Sequence, residues 1–514
     1  MSAPQTGKFG QLPTPDRHRI RGNVRASLRS RWRLLSLVIV HLAAAIHIAH
    51  WKITGSTLTP VEPSEAMQTL ELGHVNAGFI LFVILILATL VLGRFFCGWA
   101  CHVVAYQDAA AWLLGKLRIR PRPVRSRLLV FIPFAAAFYM FVWPSLARAL
   151  SDQAMPSVVY HLTTEDYWQT FPGLWIGLLT IAIDGFLVVY LLGAKGFCTY
   201  GCPYGAFFGI ADRFAIGKIR VTDDCEQCGH CTETCTSNIR VHEEVAKFKM
   251  VMDSNCMKCL DCVSVCPKNA LYYGKSKPSF FSLGTVRKKK RRVYDFTWPE
   301  EIAMAVVFTA ALYAWRGLYE MIPFLLAVGL AVITAIGMVL LWRLLRFKEF
   351  SFQHHILRRG GRLTRAGAFF TLVTPLYLVL TAHSGAVQLE AREGERLLLA
   401  AEVAEGSERE DLIAGSLAHL QRAESWGLVP VGGLHLKIGS ILRERGELLE
   451  AEEQMRIATQ VAPDLRTPWI ELSRLLMERD AWDEAERVLE GAVASDPDHA
   501  LAQDWLHRLQ SRPR

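Results

Sequence analysis

Seven stretches of the chain are apolar almost without interruption, at 33–51, 75–96, 128–150, 173–194, 302–319, 322–342 and 366–386. About 20 helical residues cover the hydrocarbon core of a bilayer, so each stretch predicts a membrane-spanning helix. Polar sequence separates them into blocks: a basic leader at 1–32, four spans within 33–196, a polar insert at 197–280, a basic linker at 281–301, three spans within 302–386 and a long polar tail at 387–514. With 51% of its 514 residues hydrophobic, the chain is too apolar for an ordinary soluble enzyme.

Charge orients these spans. The leader carries Arg17, Arg19, Arg21, Arg25, Arg29, Arg31 and Arg33, and no small-residue cleavage site follows the first span before Trp51, so that span is expected to stay as an anchor. Loops then alternate in sign. Glu62, Glu65 and Glu71 follow span one; Lys116, Arg118, Arg120, Arg122, Arg125 and Arg127 follow span two; Asp152, Glu165 and Asp166 follow span three. The basic linker after the insert carries "RKKKRR" at 287–292, and Arg343, Arg346, Lys348, Arg358, Arg359, Arg362 and Arg365 precede span seven. Because Lys and Arg are retained inside, the leader and insert are expected in the cytoplasm of a bacterial inner membrane. The tail, with 25 acidic and 15 basic residues, is expected in the periplasm. Nothing in this pattern calls for nucleic acid.

All twelve cysteines fall in motifs. "CEQCGHCTETC" and "CMKCLDCVSVCP" each give C-x2-C-x2-C-x3-C, in which three thiolates address one iron–sulfur cube and the fourth serves the other cluster. Two [4Fe–4S] clusters are expected, one on Cys225, Cys228, Cys231 and Cys266, the other on Cys256, Cys259, Cys262 and Cys235. A zinc site or a disulfide framework suits this spacing and a cytoplasmic insert less well. The other four cysteines lie at the inner ends of spans two and four, as Cys97 and Cys101 in "FFCGWACHVV" and Cys198 and Cys202 in "FCTYGCPY". On a continuing helix, i and i+4 share a face, so each pair would present two thiols together. Three readings stand for them: a shared iron, zinc or iron–sulfur centre, a reversible dithiol, or small packing residues.

These motifs, in this order behind four spans, resemble the membrane-bound polyferredoxins of the NapH type and their NosR and CcoG relatives over about residues 30–280. Cys198, Cys202 and Pro203 match that group's C-x3-C-P; His102 stands where the first site would have its proline. The resemblance implies electron transfer. The expected function moves electrons between a membrane quinone pool and redox partners of a periplasmic reductase system, as a component of quinol dehydrogenase type. The alternative is a factor that reduces a metal or thiol for a periplasmic metalloenzyme. A transporter is disfavoured, because the chain shows no inverted repeat.

The tail repeats itself at a spacing of 34: Leu442 and Leu476, Ala451 and Ala485, Ala458 and Ala492, Pro463 and Pro497, Asp464 and Asp498. This predicts paired tetratricopeptide-like helices, an α-helical solenoid that would dock a periplasmic protein. The fold expected overall is mainly α, a seven-span membrane protein with an inserted 2[4Fe–4S] ferredoxin-like domain.

Ionisable side chains inside spans are costly, which marks Asp184 and His41 as candidate proton-handling groups at a quinone site. They lie at similar depth, so they could pair. His47, His50, His74 and His383 gather toward the outer face, where a quinol head group or a haem would find ligands; polar residues resting at the interface are the plainer reading.

Overall fold

The computed structural model describes residues 27–119, 121–151, 154–168, 173–282, 294–497 and 499–511. Most of the leader, Arg120, Asp152, Asp498 and the "RKKKRR" run lie outside them. The described chain is mainly helical, with no closed sheet. It divides into two compact units, one comprising residues 1–308 and 328–375, the other 309–327 and 376–514.

Five helices are long and apolar enough to cross a membrane: Leu28–Thr54, Leu129–Leu150, Leu174–Leu192, Phe324–Arg346 and Arg365–Ala401. The second expected span is the shorter helix Ala77–Leu92, which Gly93 ends at φ 70°. The fifth, Trp298–Trp315, opens on Glu300 and Glu301. Leu129–Leu150 and Leu174–Leu192 each change to π-helical geometry midway, at Phe138–Val142 and Ile181–Leu187.

The ferredoxin-like lobe of the first unit is a pseudo-symmetric pair. Strand Gly217–Val221 pairs antiparallel with Leu271–Lys275, each next to one cysteine run. Short helices His230–Glu233 and Asp261–Ser264 occupy matching places in the two runs. Ile219, Val221, Val245, Val251 and Leu271 form its core, and six of its cysteines are buried in or packed against that core. The basic stretch after Arg343, read from sequence as a loop, folds into a three-stranded antiparallel sheet, Phe350–Phe352, His355–Arg359 and Arg362–Leu363.

In the second unit, helices Gly432–Glu444, Arg466–Glu478 and Ala500–Gln510 start 34 residues apart, as do Leu448–Val461 and Trp482–Ser495. The recurring positions are its core: Leu442, Leu476, Ala451, Ala485, Ala458 and Ala492 are all buried.

Candidate functional site

The membrane-edge cysteines do not lie on continuing helices, which corrects the i, i+4 expectation. After Gly93, a short helix Phe95–Trp99 carries Cys97, the chain turns, and Cys101 caps helix His102–Lys116 in extended geometry, φ −79° and ψ 123°. The second site repeats this. Gly193, at φ 104°, ends the span; helix Gly196–Tyr200 carries Cys198, and Cys202 caps Pro203–Phe214 at φ −77° and ψ 113°. At the second site Pro203 reinforces the break, since proline suits a first helical position and forces the residue before it out of the helical region. His102 takes the same position without a proline, so its substitution leaves the backbone plan unchanged.

The two pairs nevertheless meet, and Arg94 is the residue at their centre. Its buried guanidinium donates to Ser254 O at 3.2 Å and lies close enough to Cys97, Cys198 and Cys202 to feel their charge. Gln107 donates to Cys198 Sγ at 2.8 Å. Phe82, Phe141 and Phe208 wall Cys97 and Cys198 off from water. Burial pushes the Cys198 thiol up to about 11 and Cys202 up to about 12, even with the Arg94 charge pulling the other way. Arg94 Nε, Gln107 Oε1 and the Tyr204 hydroxyl are buried here with no hydrogen-bond partner. Such orphaned atoms around four thiols fit a bound polar group better than a packed core.

The ferredoxin lobe sits directly against this site. A Cβ on Gly98 would fall 2.3 Å from Met257 O, so only glycine lets helix Phe95–Trp99 lie flush on the second cysteine run. Trp99 Nε1 donates to Lys258 O at 3.0 Å. Beneath that contact is a buried charge network. Asp212 accepts from Lys258 at 2.8 Å, from Lys218 at 3.0 Å and from the Arg94 amide at 3.2 Å. The exposures of Arg94, Asp212, Lys218 and Lys258 are 2, 0, 0 and 1%. Two ammonium groups thus share one carboxylate, and the buried Arg94 guanidinium, bonded to Ser254 O, adds a further positive charge; burying charge is costly unless it is paired. Nearby, Arg33 binds Asp261 at 2.9 Å and Asp108 at 2.6 Å, and Lys195 also pairs with Asp108. That second network balances.

All twelve cysteines are free. Cys225, Cys228, Cys231 and Cys266 line one cavity. In the other half of the lobe, Cys262 is close to Cys235, Cys256 and Cys259. Each foursome offers the all-thiolate donor set of a [4Fe–4S] cluster. Among the described residues no three or more His, Cys, Asp or Glu side chains are drawn tightly enough to hold a single ion.

Asp184 is buried in the π-helical turn, with neither carboxylate oxygen hydrogen-bonded. It points at helix Phe324–Arg346, where a Cβ on Gly329 would lie 1.8 Å from its Oδ1. His41 bonds instead to its own helix, at Leu37 O, 2.7 Å away, with its ring edge-on to Tyr106 at 5.9 Å. The expected direct pairing of Asp184 with His41 does not form. The outer histidines are engaged separately: His47 with Leu58 O, His50 with Thr57 and His74 stacked on His161. His383 belongs to the second unit, where its buried Nδ1 has no hydrogen-bond partner.

Sequence reasoning missed Arg94, Gln107, Asp212 and Lys258. One signal was available: a basic residue stands three positions before the first cysteine of each edge motif, Arg94 before Cys97 and Lys195 before Cys198.

Residues 77–121 and 174–222 match the 4Fe-4S binding domain family, and residues 224–271 match the 4Fe-4S dicluster domain family. The first match holds both edge motifs, the second all eight cysteines of the two runs. The methylamine utilization ferredoxin-type protein MauN of Methylorubrum extorquens is 32% identical over 181 residues, 34% of this chain and 60% of that protein. The ferredoxin-type protein NapH of Haemophilus influenzae is 24% identical over 269 residues, 47% of this chain and 88% of that protein. NapH of Escherichia coli is 27% identical over 227 residues, 41% of this chain and 74% of that protein. The chain thus spans about three-fifths of the length of the MauN protein it matches. Over its first unit it is similar to NapH-type polyferredoxins, and it carries their 4Fe-4S binding domains.

Proposed function

We propose that this is a membrane-bound electron-transfer protein that links a quinone pool to redox partners through clusters on its three cysteine sites. The observation that carries the reading is the buried excess of positive charge between the edge cysteines and the ferredoxin lobe. A neutral dithiol or a packing role would leave the Arg94 guanidinium without an anion and Lys218 and Lys258 sharing one carboxylate, whereas thiolate-ligated clusters are anionic and complete the site. Cys225, Cys228, Cys231 and Cys266 would hold one cluster, Cys235, Cys256, Cys259 and Cys262 the second, and Cys97, Cys101, Cys198 and Cys202 a further iron or iron–sulfur centre. Bound clusters supply one-electron carriers. The chain's own residues exclude water with Phe82, Phe141 and Phe208, orient the thiolates with Arg94 and Gln107, and press the two sites together at Gly98.

Oxidation of a quinol releases two electrons and two protons. Asp184, a buried carboxylate without a hydrogen-bond partner among the described residues, would take a proton, with Tyr106 on the adjoining helix and His41 against Tyr106. The ferredoxin lobe faces the cytoplasm in this reading, and the helical pairs after residue 387 form a tetratricopeptide-like arm that docks a periplasmic partner.

Iron and acid-labile sulfide per chain, read with EPR, test the assignment. About eight irons are expected from the two runs, and more from the edge site. Replacing Cys97, Cys101, Cys198 and Cys202 together by serine should remove only the additional component; an unchanged spectrum and iron content would refute the edge centre.

A further inference from the structure

The two cysteine runs share a backbone and differ in charge. Gln227 and Lys258 are the second residues between the first two cysteines of their runs, and both are left-handed, at φ 53° and 50°. Gly229 and Leu260 also match, at φ 83° and 64°, as do Asn238 and Asn269, at φ 60° and 50°. Gln227 is neutral and exposed. Lys258 is buried, its ammonium held by Asp212 Oδ1 at 2.8 Å and Cys256 O at 3.3 Å. The charged pair near the first run, Glu226 with Lys268, is exposed and so screened by solvent. A left-handed non-glycine residue carries backbone strain, so Lys258 is held in place against a local cost.

Adding an electron to a thiolate-ligated cluster makes it more negative. A fixed buried cation favours that state, because charge interactions strengthen as the local dielectric falls. Lys258 shares Asp212 with Lys218, so one carboxylate is divided between two ammonium groups and neutralises neither fully.

We propose that Lys258 is the potential-setting residue of the site formed by Cys235, Cys256, Cys259 and Cys262, raising its reduction potential while leaving that of its sister site untouched. This rests on the reading of both foursomes as [4Fe–4S] sites. Lys258 touches no substrate and forms no bond to iron; it acts through its charge.

The test is an EPR-monitored redox titration of the full-length protein in detergent. The Lys258 signal is identified as the one lost in Cys262→Ser. In Lys258→Met the reduction equilibrium of that signal should fall at least tenfold, a shift of 59 mV for one electron, with the other ferredoxin signal within threefold of wild type. Lys258→Arg keeps the charge and should stay within threefold. Two intact signals at unchanged potentials in Lys258→Met would overturn the proposal. Absence of both signals from the wild-type protein would instead overturn the cluster reading beneath it. If Lys258→Met does not retain its clusters, Lys218→Met removes the competing cation without touching the cysteine run. Asp212 then neutralises Lys258 more fully, and the same signal should fall at least threefold; no movement there would also overturn the proposal.

Discussion

Replacing Asp212 by asparagine keeps the shape of the side chain and one acceptor, but removes the carboxylate that bonds both Lys218 and Lys258. Among the described residues the buried ammonium groups of Lys218 and Lys258 would then have no carboxylate bonded to them. Burial alone would raise the carboxyl of Asp212, yet Lys258 and Lys218 hold it below the usual range, which marks the ionised form as the one the fold uses. Breaking a buried ion pair from one side typically costs about 3–5 kcal/mol. With a urea m-value of about 2 kcal/mol per M, the midpoint for loss of the lobe should drop by about 1.5–2.5 M. The assay is urea titration of the purified protein in detergent, followed by the visible absorbance of its iron–sulfur chromophore. Lys218→Met on the same background removes one orphaned cation and should recover at least half of the loss. A midpoint for Asp212→Asn within about 0.5 M of wild type, or no recovery in the double variant, would refute the charge-balance reasoning.

In Asp184→Asn the clusters should assemble normally while their reduction by a soluble quinol slows at least tenfold; a wild-type rate across pH would return Asp184 to a structural role. Protease added to spheroplasts should remove the region after residue 387, and protection there, with cleavage only in inside-out vesicles, would reverse the proposed sidedness. In the second unit His435 bonds Gln454 at 2.6 Å and lies 3.2 Å from Glu424. Burial lowers the His435 pKa, but these partners outweigh it and raise the net value, while the His435 hydrogen bond lowers that of Glu424. The histidine's contribution is complete below its unfolded pKa, near 6.5, and is lost as pH rises through the higher folded value; that of Glu424 is complete above about 4.5 and is lost on acidification. Hydrogen exchange of helix Gly432–Glu444 should therefore be slowest at about pH 5–6 after correction for intrinsic rates, and His435→Gln should flatten the alkaline limb.

The large features were legible because they are written in local pattern. Cysteine spacing grouped the two runs, and the spacing of 34 brought out Ala451, Ala485 and their partners as core. What escaped was set by contacts distant in sequence. Lys258 reads as an ordinary solvated lysine until Asp212, from another helix, is placed against it. Gly98 reads as a helix-weakening residue until Met257 lies across it. The edge pairs were misread as helical because the apolar run masks the break at Gly93 and Gly193; Pro203, read as a helix-start signal, would have exposed it.

Arg33 has a consequence for how the protein is made. It lies in the first helix, is 6% exposed, and is buried by Asp108 and by Asp261, a residue 228 positions later in the chain. At about 5–20 residues per second, ribosomes take about 10–45 s to deliver that second carboxylate. Until then the guanidinium of the first helix has at most Asp108, made 75 residues after it, to pair with. The last pairing of the first helix is thus one that forms only when the run around Cys259 has folded against it.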